Sequence, residues 1–383
     1  MGRIPERLAL TAAAACMLLL GGCGAKEEPV TAPETPVYGS ETAEELYEKA
    51  LDEDVLIVCT VSTRATEVKE SFEKEYPGLS VEIRDLRSPN LIEAVEDAHE
   101  KGSGGCDVVL CNDNSGEFKT RLVDTGLVVP YLPADIAPKM KEGMAGSTVS
   151  FLVEAELLFY SAENFDHCPV DNIWGLTEER FKGRIYMPNP LNSFSTYAFC
   201  GASMQHDEEL AEAYRDYFGE EPVFLYGETA SECFWRKASG NIVFTNSSDE
   251  VVEALGNGNA DLGFCVSSKL RYKNLGYGLE PVWKLEPFCG CRASFAVMLT
   301  ADAENVNAAK LFIRYIMGEA GGDGEGYKPF CTEGTWSART DVPDGSPVSL
   351  EDTDLLIPDE NALAADRKMM ESFWEEMIRI SVE

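Results

Sequence analysis

The sequence predicts an α/β fold in two lobes. Each lobe is a mixed, mostly parallel sheet flanked by helices, and the chain crosses between them at a two-crossing hinge. Three observations carry this. Apolar strand-like runs alternate with amphipathic helical segments along most of the chain. Near the N-terminal end two β–α–β steps follow one another, which requires parallel pairing with right-handed crossovers. A length of 383 residues is enough to bury two lobe-sized cores.

In order, Glu44–Leu51 is a short helix leading into Val55–Val61, a continuous apolar run of the kind that forms a strand covered on both faces. The turn Ser62-Thr63-Arg64 opens a helix with Val68 and Phe72 one turn apart, ended by Pro77-Gly78. Leu79, Val81 and Ile83 alternate and predict a second strand. Asn90 with Glu93 predicts a helix cap and its reciprocal partner, with Leu91, Ala94, Val95 and Ala98 as the buried stripe. Asp107–Cys111 is the next strand, and Asn112–Ser115 is its exit loop. Thr148–Tyr160 is strand-like and crosses toward the second lobe.

That lobe contains a strand at Arg184–Met187, a helix opening near Ser193–Thr196, another helix from Asp207 and a strand at Ile242–Asn246. Ser247 with Glu250 predicts a second capping box for helix Asp249–Gly256, followed by strand Ala260–Val266. Ala293–Leu299 returns the chain to the first lobe, where Asn307–Met317 and Asp359–Ile380 read as amphipathic helices. The hinge crossings are expected near Tyr160–Phe165 and Leu285–Cys291. The expected organisation is a signal peptide over 1–22, a tether over 23–40, and the first lobe over 41–165. The second lobe takes 166–285, and 286–383 holds the return to the first lobe with the C-terminal helices.

Arg3 and Arg7 give a positive start, Leu8–Leu20 is an apolar run too short to span as a mature helix, and Leu20-Gly21-Gly22-Cys23 matches a lipobox. Pro29, Pro33 and Pro36 mark a solvated tether. The net charge of −35 argues against nucleic acid as a partner and against long-range attraction of an anion. Any bound anion must therefore be held by local donors. Of the ten cysteines beyond Cys16 and Cys23, Cys59, Cys111 and Cys265 lie in strand-like runs, where a free thiol serves as a small core residue. Their spacing gives no disulfide framework. Cys289-Gly290-Cys291 is too short for a zinc knuckle, so no metal is expected.

Catalytic signatures are sparse. His99, His167 and His206 form no ligand pair, and there is no nucleophile elbow or phosphate loop. Gly318–Gly326 lacks calcium-loop spacing and reads as solvated linker. No cofactor is expected, and a secreted enzyme is the less favoured alternative. What the chain offers is polar turns at strand ends, where ligands of open α/β sheets sit. From the first lobe these are Ser62, Thr63 and Arg64, and Asn112, Asp113 and Asn114. From the second they are Ser193, Ser195 and Thr196, Asn246 and Ser247, and Ser267 and Ser268. Taken singly, most of these read as caps or turn residues; convergence from two lobes is the functional expectation.

The stretch Gly183–Gln205 organises this set, because a strand, a Pro- and Asn-rich turn and a helix start leave N–H groups facing the crevice. GRIYMPNPLNSFSTYAF resembles a segment of the extracellular solute-binding proteins of ABC importers, in the branch that takes ferric iron, 2-aminoethylphosphonate, thiamine and polyamines. Trp174–Gly183, Val251–Ser268 and Ala308–Met317 resemble further segments of that family, in family order. The resemblance implies a type 2 periplasmic-binding fold and a small-molecule solute captured between lobes. It further implies an ABC permease as partner, acylation of Cys23 as a membrane anchor outside the cytoplasm, and a monomer. Iron-binding members place a Tyr-Tyr pair where this chain has Val266-Ser267-Ser268, with Tyr272 and Tyr277 later. Polyamine binding calls for carboxylates and aromatic walls, for which Asp113, Glu154 and Trp235 are available. The serine-rich turns favour a small oxyanion such as a phosphonate or phosphate ester, with ferric iron or a polyamine as the alternative.

Overall fold

The computed structural model describes residues 35–382 apart from 103, 104, 113 and 226. The signal, the lipobox with Cys23, and Asp113 therefore lie outside the described residues. The first lobe opens with β1 (Val37–Gly39), α1 (Ala43–Ala50), β2 (Leu56–Thr60), α2 (Ala65–Glu75), β3 (Val81–Asp85), α3 (Ser88–Lys101) and β4 (Val108–Cys111). β2 pairs in parallel with both β3 and β4, as two successive β–α–β steps demand. α3 starts at Ser88 with Pro89 in its first turn, so Asn90 lies inside the helix and is not its cap. Short strands β5 (Val128–Val129) and β6 (Tyr131–Pro133) follow.

The long strand β7 (Ser150–Ser161) leads into the second lobe: β8 (Ile185–Pro188), α4 (Phe194–Met204), α5 (Asp207–Phe218), α6 (Ala230–Ser239), β9 (Ile242–Thr245), α7 (Ser248–Gly256), β10 (Leu262–Val266) and β11 (Leu279–Pro281). β12 (Gly290–Thr300) returns to the first lobe and is followed by α8 (Val306–Ile316), β13 (Trp336–Ser337), β14 (Leu355–Leu356), α9 (Glu360–Ala365) and α10 (Arg367–Val382).

Hydrogen-bonded neighbours run β3-β2-β4-β12-β7-β10-β8-β9, so one sheet passes through both lobes. Its central pair, β7 and β12, is antiparallel, whereas β2–β3, β2–β4, β8–β9 and β8–β10 are parallel. In the first lobe both sheet faces are buried with period two: Val108, Leu110 and Val297 join one apolar cluster, Val109, Cys111 and Met298 the other.

The lobe crossings fall inside the β7–β12 ladder. Leu152 and Phe295 belong to the first lobe's core, while Val153 and Cys291 belong to the second's. A register shift between Phe295 and Ala296 marks the same place. The crossings expected at Tyr160–Phe165 and Leu285–Cys291 lie deeper in the second lobe. An unbroken apolar run does not reveal where one core ends and the next begins.

The C-terminal helices also differ from expectation. Leu363, Met370, Trp374 and Met377 are buried in the second lobe's core, with the Trp374 ring 5.0 Å from that of Trp235. Amphipathicity guarantees a buried face but does not choose between two available cores. Cys59 is not a free core thiol: it forms a disulfide with Cys106. The two half-cystines come from β2 and the approach to β4, which the parallel ladder brings side by side.

Candidate functional site

The polar turns at the carboxyl ends of β2, β3, β4, β8, β9 and β10 surround a cavity of 420 Å³ between the lobes. Ser62, Thr63, Arg64 and Asn112 reach it from the first lobe, and Ser193, Ser195, Asn246, Ser247 and Ser268 from the second. The other described candidates serve the scaffold beside it. Asn114 Oδ1 accepts from the Ser294 N–H at 2.9 Å, tying the loop after β4 to β12. Thr196 is buried, and its hydroxyl donates to Glu156 at 2.8 Å. Ser267 accepts from the Ala155 N–H at 2.9 Å and donates to the Gly334 carbonyl, so its hydroxyl is consumed within the protein.

Arg64 is the most constrained of the lining residues. Its side chain is buried, Nε donates to Ser62 Oγ at 3.1 Å, Nη2 donates to Glu154, and the guanidinium lies 4.5 Å over the Phe330 ring. Nη1 is buried without a partner among the described residues. A guanidinium carries five N–H donors, so this leaves donor capacity unspent at the cleft.

Arg271 faces Arg64 from the second lobe. Burial, and then the charge of Arg64, pull the Arg271 guanidinium below its ordinary value. Arg271 Nη1 donates to the Ser268 carbonyl at 2.9 Å. Lys269, also on the cleft wall, is held down by burial and donates to Asp249 at 2.6 Å. Four cations (Arg64, Arg87, Lys269, Arg271) thus line the cleft against three carboxylates (Asp85, Glu154, Asp249). In a chain of net charge −35 this is a local basic surface.

Ser193 caps α4, accepting from the Thr196 N–H at 3.4 Å. Phe194 and Ser195 are the first helical residues, so their N–H groups lack intrahelical acceptors and face the cleft they line. Behind them lies Glu156, buried on β7, which receives the Ser195 hydroxyl at 3.0 Å and that of Thr196. Burial pushes the Glu156 carboxyl up to about 7 against the lowering effect of those two hydrogen bonds.

Six charged residues of this site were not singled out as ligand groups from the sequence: Asp85, Arg87, Glu156, Asp249, Lys269 and Arg271. Two signals were present. Lys269 and Arg271 directly follow the Ser267-Ser268 turn, and Glu154 and Glu156 are the only charges in an apolar strand, two apart and therefore on one face. Of the groups available for other ligands, Trp235 is fully buried in the second lobe's core, and Tyr272 donates to Asp249 at 2.8 Å.

A two-lobed α/β molecule with polar strand ends converging on one interlobe cleft has the architecture of a periplasmic binding protein. The family model of bacterial extracellular solute-binding proteins matches residues 57–323, and the chain belongs to that family. Its fold is the type 2 form that serves ABC importers. AfuA from Actinobacillus pleuropneumoniae, a periplasmic binding protein solved with exogenous fructose-6-phosphate bound, superposes with a TM-score of 0.65 at 17% identity, over 86% of this chain and 99% of that one. Iron-bound HitA from Pseudomonas aeruginosa superposes with a TM-score of 0.64 at 13% identity, over 85% and 99%. The ferric binding protein from Campylobacter jejuni gives 0.63 at 15% identity, over 84% and 99%. No curated protein sequence matches the chain.

Proposed function

We propose that this protein captures a small oxyanion, a phosphonate, phosphate ester or similar solute, between its lobes and delivers it to an ABC permease. It acts as a receptor, as a monomer, held to the outside of the membrane by a lipid on Cys23. The observation that carries the reading is the buried Arg64 Nη1, unpartnered among the described residues, in a side chain that lines the cleft together with Arg271 of the other lobe. Two guanidiniums in a partly dehydrated cleft repel one another until an anion lies between them. The N–H groups of Phe194 and Ser195 and the hydroxyls of Ser62, Thr63, Ser193 and Ser268 supply the remaining donors, with Asn112, Asn246 and Ser247 at the rim. AfuA's fructose-6-phosphate is a ligand of this chemistry.

The test is a thermal-shift and calorimetric screen of the mature protein against methylphosphonate, glycerol phosphate, sulfate, ferric citrate and putrescine. The anions are expected to raise the melting temperature and to return chemically unchanged. Stabilisation by ferric citrate or putrescine alone, or turnover of the ligand, would overturn the reading.

A further inference from the structure

Glu156 is an unusual neighbour for an anion site. It is 1% exposed, and its two carboxylate oxygens are linked to the cleft wall through single hydroxyls. Oε2 accepts from Ser195 Oγ at 3.0 Å and Oε1 from Thr196 Oγ1 at 2.8 Å. Ser193 Oγ lies 3.3 Å from Ser195 Oγ and 3.0 Å from Thr196 Oγ1, closing a network of three hydroxyls at the start of α4. Ser193 and Ser195 line the cleft. Arg64, 5% exposed with Nη1 unpartnered, lines the same cleft from the opposite lobe.

We infer that Glu156 is a specificity-determining residue of this site, coupling capture of an oxyanion at the α4 N-terminus to uptake of a proton by its own carboxyl. The inference rests on the oxyanion reading of the cleft. While Glu156 is ionised, the Ser195 and Thr196 hydrogens both point inward to it, and Ser195 turns a lone pair toward the cleft. A buried negative charge also opposes the incoming anion across a single hydroxyl. When Glu156 takes a proton from solvent, its Oε2–H donates to Ser195 Oγ, the one of the two hydroxyls that lines the cleft. That hydroxyl's own hydrogen is then free to turn outward and donate to the anion. The Ser195 hydroxyl therefore accepts from or donates to the anion according to one proton.

The groups that face Glu156 leave it as the site of that proton. Glu154, on the same strand, is paired with Arg64 and raises the Glu156 carboxyl by its charge. Cys200 on α4, Cys265 on β10 and Cys291 on β12 are held above the usual thiol range, first by burial and then by Glu156. These thiols stay protonated where Glu156 titrates, near 7.

The experiment measures the dissociation constant for inorganic phosphate against pH in the full mature protein and in Glu156→Gln. Phosphate's own ionisation is common to both and cancels in the ratio. Between about pH 6 and pH 8 the wild-type affinity should fall roughly tenfold further than that of the variant. Parallel profiles would overturn the inference while leaving the oxyanion reading intact. Failure of the wild-type protein to bind phosphate at any pH would overturn both. A second measurement needs no variant: sulfate does not titrate near neutrality, so calorimetry with sulfate in buffers of different ionisation enthalpy reads protons taken up by the protein. Uptake of a fraction of a proton near pH 7 is expected, and zero uptake would overturn the inference.

Discussion

Arg64 and Glu154 form a buried ion pair across the lobe boundary, and the pair uses only one of the two terminal guanidinium nitrogens. Arg64 comes from the turn after β2, and Glu154 from β7 immediately beyond the change of cores. The geometry holds a cation rigidly at the cleft and leaves its Nη1 without a partner among the described residues. A buried pair is weak evidence for stability, because desolvation offsets its attraction, but breaking it strands one charge.

This separates stability from binding. Arg64→Gln should destabilise the protein by about 3–5 kcal/mol, because Glu154 is left buried and unpaired. Adding Glu154→Gln should recover most of that loss, since no unpaired charge remains. Phosphate binding should be lost in both variants. Denaturation curves and calorimetry check the two effects; a double variant that regains binding would remove Arg64 from the ligand contacts.

Phe194 ties the lobes together beside the cleft. It opens α4 in the second lobe, yet it is 3% exposed within a first-lobe apolar cluster that includes Phe118, Ala296 and Met298. Phe194→Ala should therefore weaken closure more than it weakens either core. Anion affinity should drop about tenfold or more, as the truncation loses an apolar contact made only between the lobes. Small-angle scattering should show the variant more open than wild type. An unchanged profile and affinity would mean that closure does not use this contact.

The Cys59–Cys106 disulfide joins two positions separated by 47 residues. A loop of that length predicts about 2–4 kcal/mol of stabilisation from the restricted unfolded chain. Cys59→Ser with Cys106→Ser should lower the first lobe's stability by that order, read by denaturant unfolding under oxidising conditions. Affinity of the folded protein should be unaffected, because neither residue lines the cleft.

Cys23 lies outside the described residues, and its role rests on the lipobox that it completes. Cys23→Ser should release the protein from membranes in fractionation while its melting temperature stays unchanged. Quantitative recovery with the membrane would remove the lipid from the proposal.

Much of the fold was legible because its signals are local. Val68 and Phe72 gave one helix face, Leu56–Thr60 sits in an apolar run, and Ser193 and Ser247 cap the helices that they precede. Strand-end turns then located nine lining residues of the cleft without any three-dimensional information. The failures are non-local. Whether a serine hydroxyl serves a ligand or a buried carboxylate depends on what lies behind it. Ser267 turns to Gly334, 67 residues away, and Thr196 turns to Glu156. The Cys59–Cys106 bond depends on strand pairing, and the docking of Trp374 depends on which lobe offers a fitting core.

Glu156 carries a last prediction that needs no ligand. Burial lifts its carboxyl from 4.5 to about 7 in the folded protein. Between those values the folded state binds more protons than the unfolded chain, so folding is favoured by acid and weakened as pH rises. The sign is the reverse of a salt-bridged carboxylate, whose stabilisation is lost on acidification. Above the folded value both states are ionised and the penalty is constant; below the unfolded value both are protonated and it is absent. Each unit of separation corresponds to about 1.4 kcal/mol, so the cost at neutral pH is of the order of a few kcal/mol. Glu156→Gln removes the titration but keeps a side chain that can bond to Ser195 and Thr196. The wild-type protein should therefore lose stability relative to Glu156→Gln as pH rises from about 5 to 7.5, with the difference levelling off above that range. Urea denaturation of both proteins across the range measures it directly. A difference that stays flat with pH would show that Glu156 is ionised in the folded protein throughout, and the proton proposed to accompany the anion would have no site.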